Sequence, residues 1–410
     1  MSHKIVVIGA GFAGVWTALS AKRLLKLANK ENEVEVAVIA PDPTLVIRPR
    51  LYESKASTLV HPLKALFEES GIEFIPGIAE AIHTEAHTVD VKCGSGLEKT
   101  IHYDRLVLAA GSHVNRPKSV TGLDEYAFDV DSLAGAVKLE THLERLGESP
   151  ASKARDTVVV CGAGFTGIEI AAELPQRLAH IPNARVVLIG NTDEVAPDFG
   201  SIPRQAIASA LAGLGVEFKL GSGVSAVDSE GVTLASGERI ETKTAIWTAG
   251  VRATPLTAQI PGKKDPLGRL YVDQYLRVPS VNDVFATGDA ACAIADGNSQ
   301  YALMSCQHAN QLGRVSGHNV AAVLLGEPLM EYSQAAYNCC LDLGSSGALV
   351  ASGWNRDGIK LSGDTAKRVK CYINQKLIYP PDNTQEALRL ADPLGFDSDR
   401  LFEQLAQVVG

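Results

Sequence analysis

The chain opens with the short apolar run Lys4 to Ile8, closes it at Gly9, and passes into a stretch, Gly14 to Lys26, whose apolar residues recur at three- and four-residue spacing. A brief apolar run ended by glycine predicts a strand buried on both faces, and the spacing behind it predicts a helix. A second run, Glu33 to Ala40, completes a βαβ unit. The same order returns in mid-chain, with Thr157 to Cys161 as strand, Gly167 to Leu178 as helix and Ala184 to Gly190 as strand. Between these units, Gly71 to Leu108 alternates short β-type runs with turn residues such as Cys93-Gly94-Ser95-Gly96, and Val216 to Gly250 repeats that plan. Beyond about Gly326 the pattern changes to strands at Tyr337 to Leu343 and Gly347 to Ser352, a helix around Thr365 to Gln375, and a proline-containing tail. The expected fold class is α/β, with two Rossmann-like domains and a small C-terminal α+β domain.

Each βαβ unit carries a glycine fingerprint at its strand-to-helix turn: Gly9-Ala10-Gly11-Phe12-Ala13-Gly14 and Gly162-Ala163-Gly164-Phe165-Thr166-Gly167. Glycines at these places allow the tight turn, let backbone approach a pyrophosphate, and pack helix on strand, while the helix N terminus offers free N–H groups. The fingerprints lie about 150 residues apart, so each belongs to its own sheet, one nucleotide per fold. Composition narrows the field further. A net charge of −9 without a dense basic run argues against nucleic acid. The apolar run follows Met1 too closely for a secretory signal, and no apolar stretch approaches the ~20 residues of a membrane span, so a cytoplasmic protein is expected. The seven cysteines show neither C-x-x-C nor zinc-ligand spacing, and no metal site is expected.

A third element, Val284-Phe285-Ala286-Thr287-Gly288-Asp289-Ala290-Ala291, reads as a strand closing on a turn before a helical stretch. Taken with the two fingerprints and with Trp247-Thr248-Ala249-Gly250, it resembles the two-dinucleotide-domain flavoprotein superfamily, and within it the type II NADH dehydrogenases, and Ala110 and Gly111, which end the strand-like run from Leu106, join the expected cofactor contacts. The resemblance implies that the first fold holds FAD and the second NADH or NADPH, with Asp289 on the ribityl chain. It divides the chain into a discontinuous FAD domain (1–115 and 266–325), a nicotinamide-nucleotide domain (116–265) and a C-terminal domain (326–410). Gly167-Ile168-Glu169-Ile170-Ala171-Ala172-Glu173-Leu174 resembles the family's G-V-E-x-A-x-E-L, which implies a place for Glu169 beside nicotinamide and flavin. Cys306-Gln307-His308-Ala309-Asn310-Gln311-Leu312-Gly313 resembles A-Q-x-A-x-Q-x-G, whose glutamines line a quinone tunnel, so Gln307 and Gln311 inherit that role. Four apart on a helix, their amides share a face, which presents them to one carbonyl-bearing acceptor or, in the plainer alternative, hydrogen-bonds them to loop carbonyls. Glu169 also admits a plainer reading, an acid complementing a helix N terminus. The resemblance brings Arg48 or Arg50 close to the flavin, against the alternative of surface arginines paired with Glu53. Lys367 and Lys370 are expected to be solvated, with Lys367 retained because relatives place a lysine of that domain near the flavin.

Two departures bear on partners. Where an acid ends the second strand of such folds and binds ribose, this chain has Ala40, with Asp42 two residues later, and Gly190. NADH against NADPH stays open at this point. The tail from Pro393 to Gly410 carries an apolar stripe of Leu401, Phe402, Leu405, Val408 and Val409 opposite Asp397, Asp399 and Glu403. Acids are repelled by anionic lipid, so the tail is expected to pack on the protein body or on a second subunit in a homodimer, with at most peripheral membrane contact. The expected activity is hydride transfer from NAD(P)H to flavin, then electron transfer to a small organic acceptor of quinone type. Two rivals remain: a thiol or sulfide flavoenzyme, which Cys339-Cys340 serve poorly because adjacent strand residues face opposite ways, and a flavoprotein whose redox state controls partner binding.

Overall fold

The computed structural model describes residues 2–94, 96–297, 300–395, 399–401 and 405. Two parallel five-stranded sheets organise the molecule. In the first, strands run in the order Val284–Ala286, Arg105–Leu108, His3–Ile8, Val34–Ala40, Glu73–Pro76. In the second, the order is Ala127–Phe128, Thr244–Trp247, Thr157–Cys161, Arg185–Ile189, Val216–Lys219. The register pairs Ile8 with both Ile39 and Leu108, and Cys161 with both Ile189 and Trp247, so in each sheet three carboxyl ends come level. That edge is where parallel open sheets bind ligands. Each sheet is accompanied by a three-stranded antiparallel meander, Ile78–His102 and Val224–Glu241, which is the duplication the turn pattern predicted. A strand pair, Ser112–Val114 with Val251–Ala253, bridges the two folds.

Four helices position the site: α1 (Phe12–Leu27), α2 (Phe165–Arg177), α3 (Cys306–Leu325) and α4 (Gly363–Tyr372). α3 lies tight on α1 because it presents two glycines to it. A Cβ on Gly313 would stand 2.4 Å from the Ala13 carbonyl oxygen, and one on Gly317 would stand 2.1 Å from that of Thr17. This contact fixes α3 against α1, and Gln307, in the first turn of α3, lines the same cleft as the first glycine turn. The C-terminal domain is the antiparallel sheet Asn338–Asp342, Ala348–Ser352, Gly358–Ser362 with α4 packed on it. Its turn at Gly344 reaches α2 so closely that a Cβ there would stand 2.2 Å from the Ala172 carbonyl oxygen.

Several boundaries differ from the sequence expectation. α1 and α2 begin at Phe12 and Phe165, two residues before the third glycine of each fingerprint, because that glycine is already inside the helix, packed on the turn. The stretch after Asp289 is no helix: a single 3₁₀ turn, Gly288–Ala290, leads into the two-residue strand Ala291–Cys292. α4 ends in a π turn at Ile373–Leu377. Of the tail, Leu405 is buried among Cys340, Val350 and Val369 with Leu401 against it, while Asp399 accepts from Asn338 and pairs with Lys360. The tail thus packs on the C-terminal domain; Asp397, Phe402, Glu403, Val408 and Val409 lie outside the described residues.

Candidate functional site

The two glycine turns are built alike. Gly9 and Gly162 stand at φ values of 112° and 131°, a region costly for any side chain. Cβ atoms on Gly14 and Gly167 would fall 1.9 and 1.7 Å from the carbonyl oxygens of Gly9 and Gly162. Gly11 and Gly164, by contrast, face open space. Neither α1 nor α2 has a side-chain cap or an acid in its first turn, so the first N–H groups of each helix are left for a ligand. Two open backbone cradles of this kind fit two pyrophosphates. Ala110, Gly111, Gly250 and Gly288 follow the carboxyl ends of neighbouring strands, and the first two line the cleft over the first turn.

Asp289 sits in the same cleft, accepting from the Ser112 hydroxyl at 2.6 Å, with Arg48 at 3.5 Å. Burial raises its carboxyl above the usual range, against the pull of Arg48. Arg48 also pairs with Asp131 and donates to the Ser112 hydroxyl at 2.8 Å. Its charge is therefore already balanced by two carboxylates. Arg50 is bound to Glu53 at 2.7 Å and to the Tyr379 hydroxyl at 2.9 Å. Neither arginine is the surface residue of the alternative reading, although Arg50 does pair with Glu53.

Glu169 is buried at the cleft wall, and it is not an acid capping a helix N terminus. Its carboxylate accepts from Lys370 Nζ at 2.8 Å and from the Asp342 backbone N–H at 3.0 Å. Burial pushes Glu169 up to about 7, against the lowering pull of the Lys370 ammonium. Burial lowers Lys370, yet the Glu169 carboxylate outweighs it and holds the lysine above its ordinary value. The ammonium also donates to the Cys340 carbonyl at 3.0 Å. The expectation that Lys370 is solvated is overturned: α4 packs on the C-terminal sheet, and the lysine is buried with its ammonium on Glu169 of α2. Lys367, one turn earlier, pairs with Asp342 at 2.5 Å and with Glu173 at 3.6 Å. Asp342 in turn accepts from the Tyr52 hydroxyl at 3.0 Å, and Asn374 donates to Glu53 at 2.9 Å. All three parts of the chain meet in this network. Tyr52, Asp342 and Asn374 went unnoticed in the sequence; the one available signal was Glu169 and Glu173 four apart on one helix with Lys367 and Lys370 three apart on another.

Gln307 and Gln311 both line the cleft. The Gln311 amide donates to the Pro393 carbonyl at 2.7 Å, so it also fastens the start of the tail. Glu169, Lys370, both glutamines and the first glycine turn border one continuous space of 1780 Å³, larger than the pocket of a typical single small ligand. Leu377, Ile378 and Leu394 also line it. The thiols around it are poor nucleophiles: burial pushes Cys340 up to about 12 and Cys306 to about 11. Cys339 and Cys340 pack into different cores, on opposite faces of their strand.

Residues 3–313 match the family described as pyridine nucleotide-disulphide oxidoreductase, and the chain belongs to that family. It is an oxidoreductase, and FAD and NADH, the dinucleotides that the paired turns fit, are the cofactors of its NADH dehydrogenase branch. An NADH dehydrogenase-like protein of Mycobacterium tuberculosis is 44% identical over 395 residues, covering 95% of this chain and 97% of its own. A type II NADH:quinone oxidoreductase of Staphylococcus saprophyticus is 25% identical over 398 residues, covering 92% and 95%. The structure of NDH2 from Plasmodium falciparum in complex with NADH shares the fold, with a TM-score of 0.78 at 14% identity over 95% of this chain and 97% of that one. Among the described residues, no helix is long and apolar enough to cross a membrane.

Proposed function

We propose that this protein takes electrons from NADH and delivers them to a quinone or a quinone-like small molecule. The observation that carries the reading is one continuous cleft lined by the first glycine turn, by Glu169 and Lys370, by Gln307 and Gln311, and by the apolar side chains of Leu377, Ile378 and Leu394. An amide-lined, apolar pocket suits a flat acceptor with carbonyl oxygens. FAD, when bound, supplies hydride acceptance from nicotinamide and onward electron delivery. Gly9, Gly11, Phe12, Ala13 and Gly14 would hold its pyrophosphate, and Asp289 with Arg48, Ala110, Gly111 and Gly288 its ribityl side. Gly162, Gly164, Phe165, Thr166 and Gly167 would hold the donor, with Gly190 near its adenosine ribose and Gly250 at the edge of the second fold. This corresponds to a FAD domain of residues 1–115 and 266–325, a donor domain of 116–265 and a C-terminal domain of 326–410.

The chain's own chemistry is placement of charge and proton. Lys370 keeps an ammonium at the cleft wall whatever the pH of a cell, and Glu169, titrating near neutrality, can hold or release a proton beside it. Gln307 and Gln311 orient an acceptor carbonyl. Arg204, a basic residue packed on the loop after Gly190, is already held by Glu194 and the carbonyl of Phe199, so it is not free for the 2′-phosphate of NADPH. The thiol reading finds no support in buried, protonated cysteines. Steady-state oxidation of NADH and of NADPH by the flavin-loaded protein, against a panel of quinones, tests the proposal. Absence of turnover with every quinone, while flavin reduction by NADH proceeds, would remove the acceptor assignment.

A further inference from the structure

One cation on the cleft wall has no role in the reading above. Arg356 stands in the turn between the second and third strands of the C-terminal sheet, at a φ of 48°, a conformation uncommon outside glycine, Asn and Asp. Two backbone bonds hold it there: its N–H donates to the Gly353 carbonyl and its carbonyl accepts from Gly200 N–H, each at 3.0 Å. The second bond ties the turn to the second nucleotide fold. The guanidinium lies 5.3 Å from the Phe199 ring centre and 5.6 Å from that of Tyr337. Phe199 in turn stacks on Phe165, the residue that opens α2, at 6.3 Å. Arg356, Tyr337 and Phe165 all line the cleft.

This guanidinium is not satisfied by the protein. Among the described residues it forms no ion pair, in contrast to Arg48 and Arg50, each of which has a carboxylate. Its one side-chain hydrogen bond is a 3.4 Å contact to the Tyr337 hydroxyl, and its Nε is buried without an acceptor. The nearby His308 imidazole is driven down to about 3, by burial first and by the Arg356 charge next. A guanidinium pressed between aromatic faces with donors unspent is suited to an anion. The anion that the second fold brings to this place is a dinucleotide's pyrophosphate, seated at the N terminus of α2. We propose that Arg356 is a binding residue for the electron donor, contributed by the C-terminal domain and donating to the pyrophosphate of NADH on the second glycine turn. The inference rests on the donor assignment above, and it makes donor binding a contact between the second fold and the C-terminal domain.

ADP-ribose, which carries the pyrophosphate without the nicotinamide, is the probe. Titrated calorimetrically into the FAD-loaded protein, it should bind R356Q roughly ten- to a hundredfold more weakly than wild type, the loss of a charge-assisted contact. R356K, which keeps the charge but not the fork, should fall between them. Inhibition of NADH oxidation by adenosine, which has no phosphate, should not change. ADP-ribose affinity in R356Q within about twofold of wild type, at equal FAD content, overturns the proposal. A second measurement needs no variant: saturating ADP-ribose should protect Arg356 of the wild-type protein from phenylglyoxal, read by peptide mass, and undiminished modification overturns it as well. A wild-type protein that bound neither NADH nor ADP-ribose would remove the donor assignment itself, and this inference with it; wild-type binding that R356Q shares removes this inference alone.

Discussion

Replacing Lys370 by Met tests whether the Glu169 pair is as dry as its surroundings indicate. The side chains are 7% and 5% exposed, and the ions stand 2.8 Å apart. At an effective dielectric of about 20 that distance corresponds to a gross attraction of roughly 6 kcal/mol. Taking each ion out of water costs several kcal/mol, so the intact pair contributes little net stability. Removing only the ammonium is different, because the carboxylate stays behind with the Asp342 N–H as its remaining partner. The expected loss is about 3–5 kcal/mol where Glu169 is ionised. Glu169 is an acid whose pKa is raised on folding, to about 7, so its protonated form favours the native state. Stability linked to it is complete below the unfolded value and is lost as pH rises through about 7. The cost of K370M should therefore be large at pH 8 and fall toward about 1 kcal/mol at pH 5.5, where only a hydrogen bond is missing. The E169Q/K370M double variant should recover most of the loss at pH 8. Guanidinium denaturation of the flavin-loaded protein, followed by tryptophan fluorescence at the two pH values, measures each cost. A K370M cost below about 1 kcal/mol at pH 8 would mean that water screens the pair, and the argument from burial would fall.

Three further outcomes are expected. G14A should purify with little flavin, because its methyl would meet the Gly9 carbonyl at 1.9 Å, whereas wild type should release FAD, not FMN, on denaturation; the flavin-to-protein ratio and chromatography of the released flavin check both. Replacing Gln307 and Gln311 together by Leu should leave anaerobic flavin reduction by NADH near wild type and slow reoxidation by quinone roughly tenfold, as read by stopped flow at equal FAD content. Quinone reoxidation in the wild type should show an inflection near the Glu169 value of about 7, and E169Q should abolish it; a persisting inflection would assign the titration to another group.

Both nucleotide folds and their order were legible in the chain, since a buried parallel strand, a glycine turn and a helix are local events governed by neighbours a few residues away. The glycine residues at 9, 14, 162 and 167 declared their places for the same reason: the steric demand arises within a single turn. The spacing of the glutamine pair on α3 told only that the two share a helix face; their place beside an acceptor came from the resemblance. The charge network was not legible. Glu169 meets Lys370, Asp342 meets Tyr52, and Arg356 meets Phe199, partners separated by long stretches of chain and brought together only when the C-terminal sheet docks on α2 through Gly344. Sequence suggested that Lys370 was solvated because lysine on a short amphipathic helix usually is; the docking of the C-terminal sheet on α2 brought its ammonium to Glu169. Burial then did what composition has no means to do, moving Glu169 toward neutrality and leaving Arg356 without a counter-ion, because desolvation depends on what surrounds a charge in space and not on what precedes it in the chain.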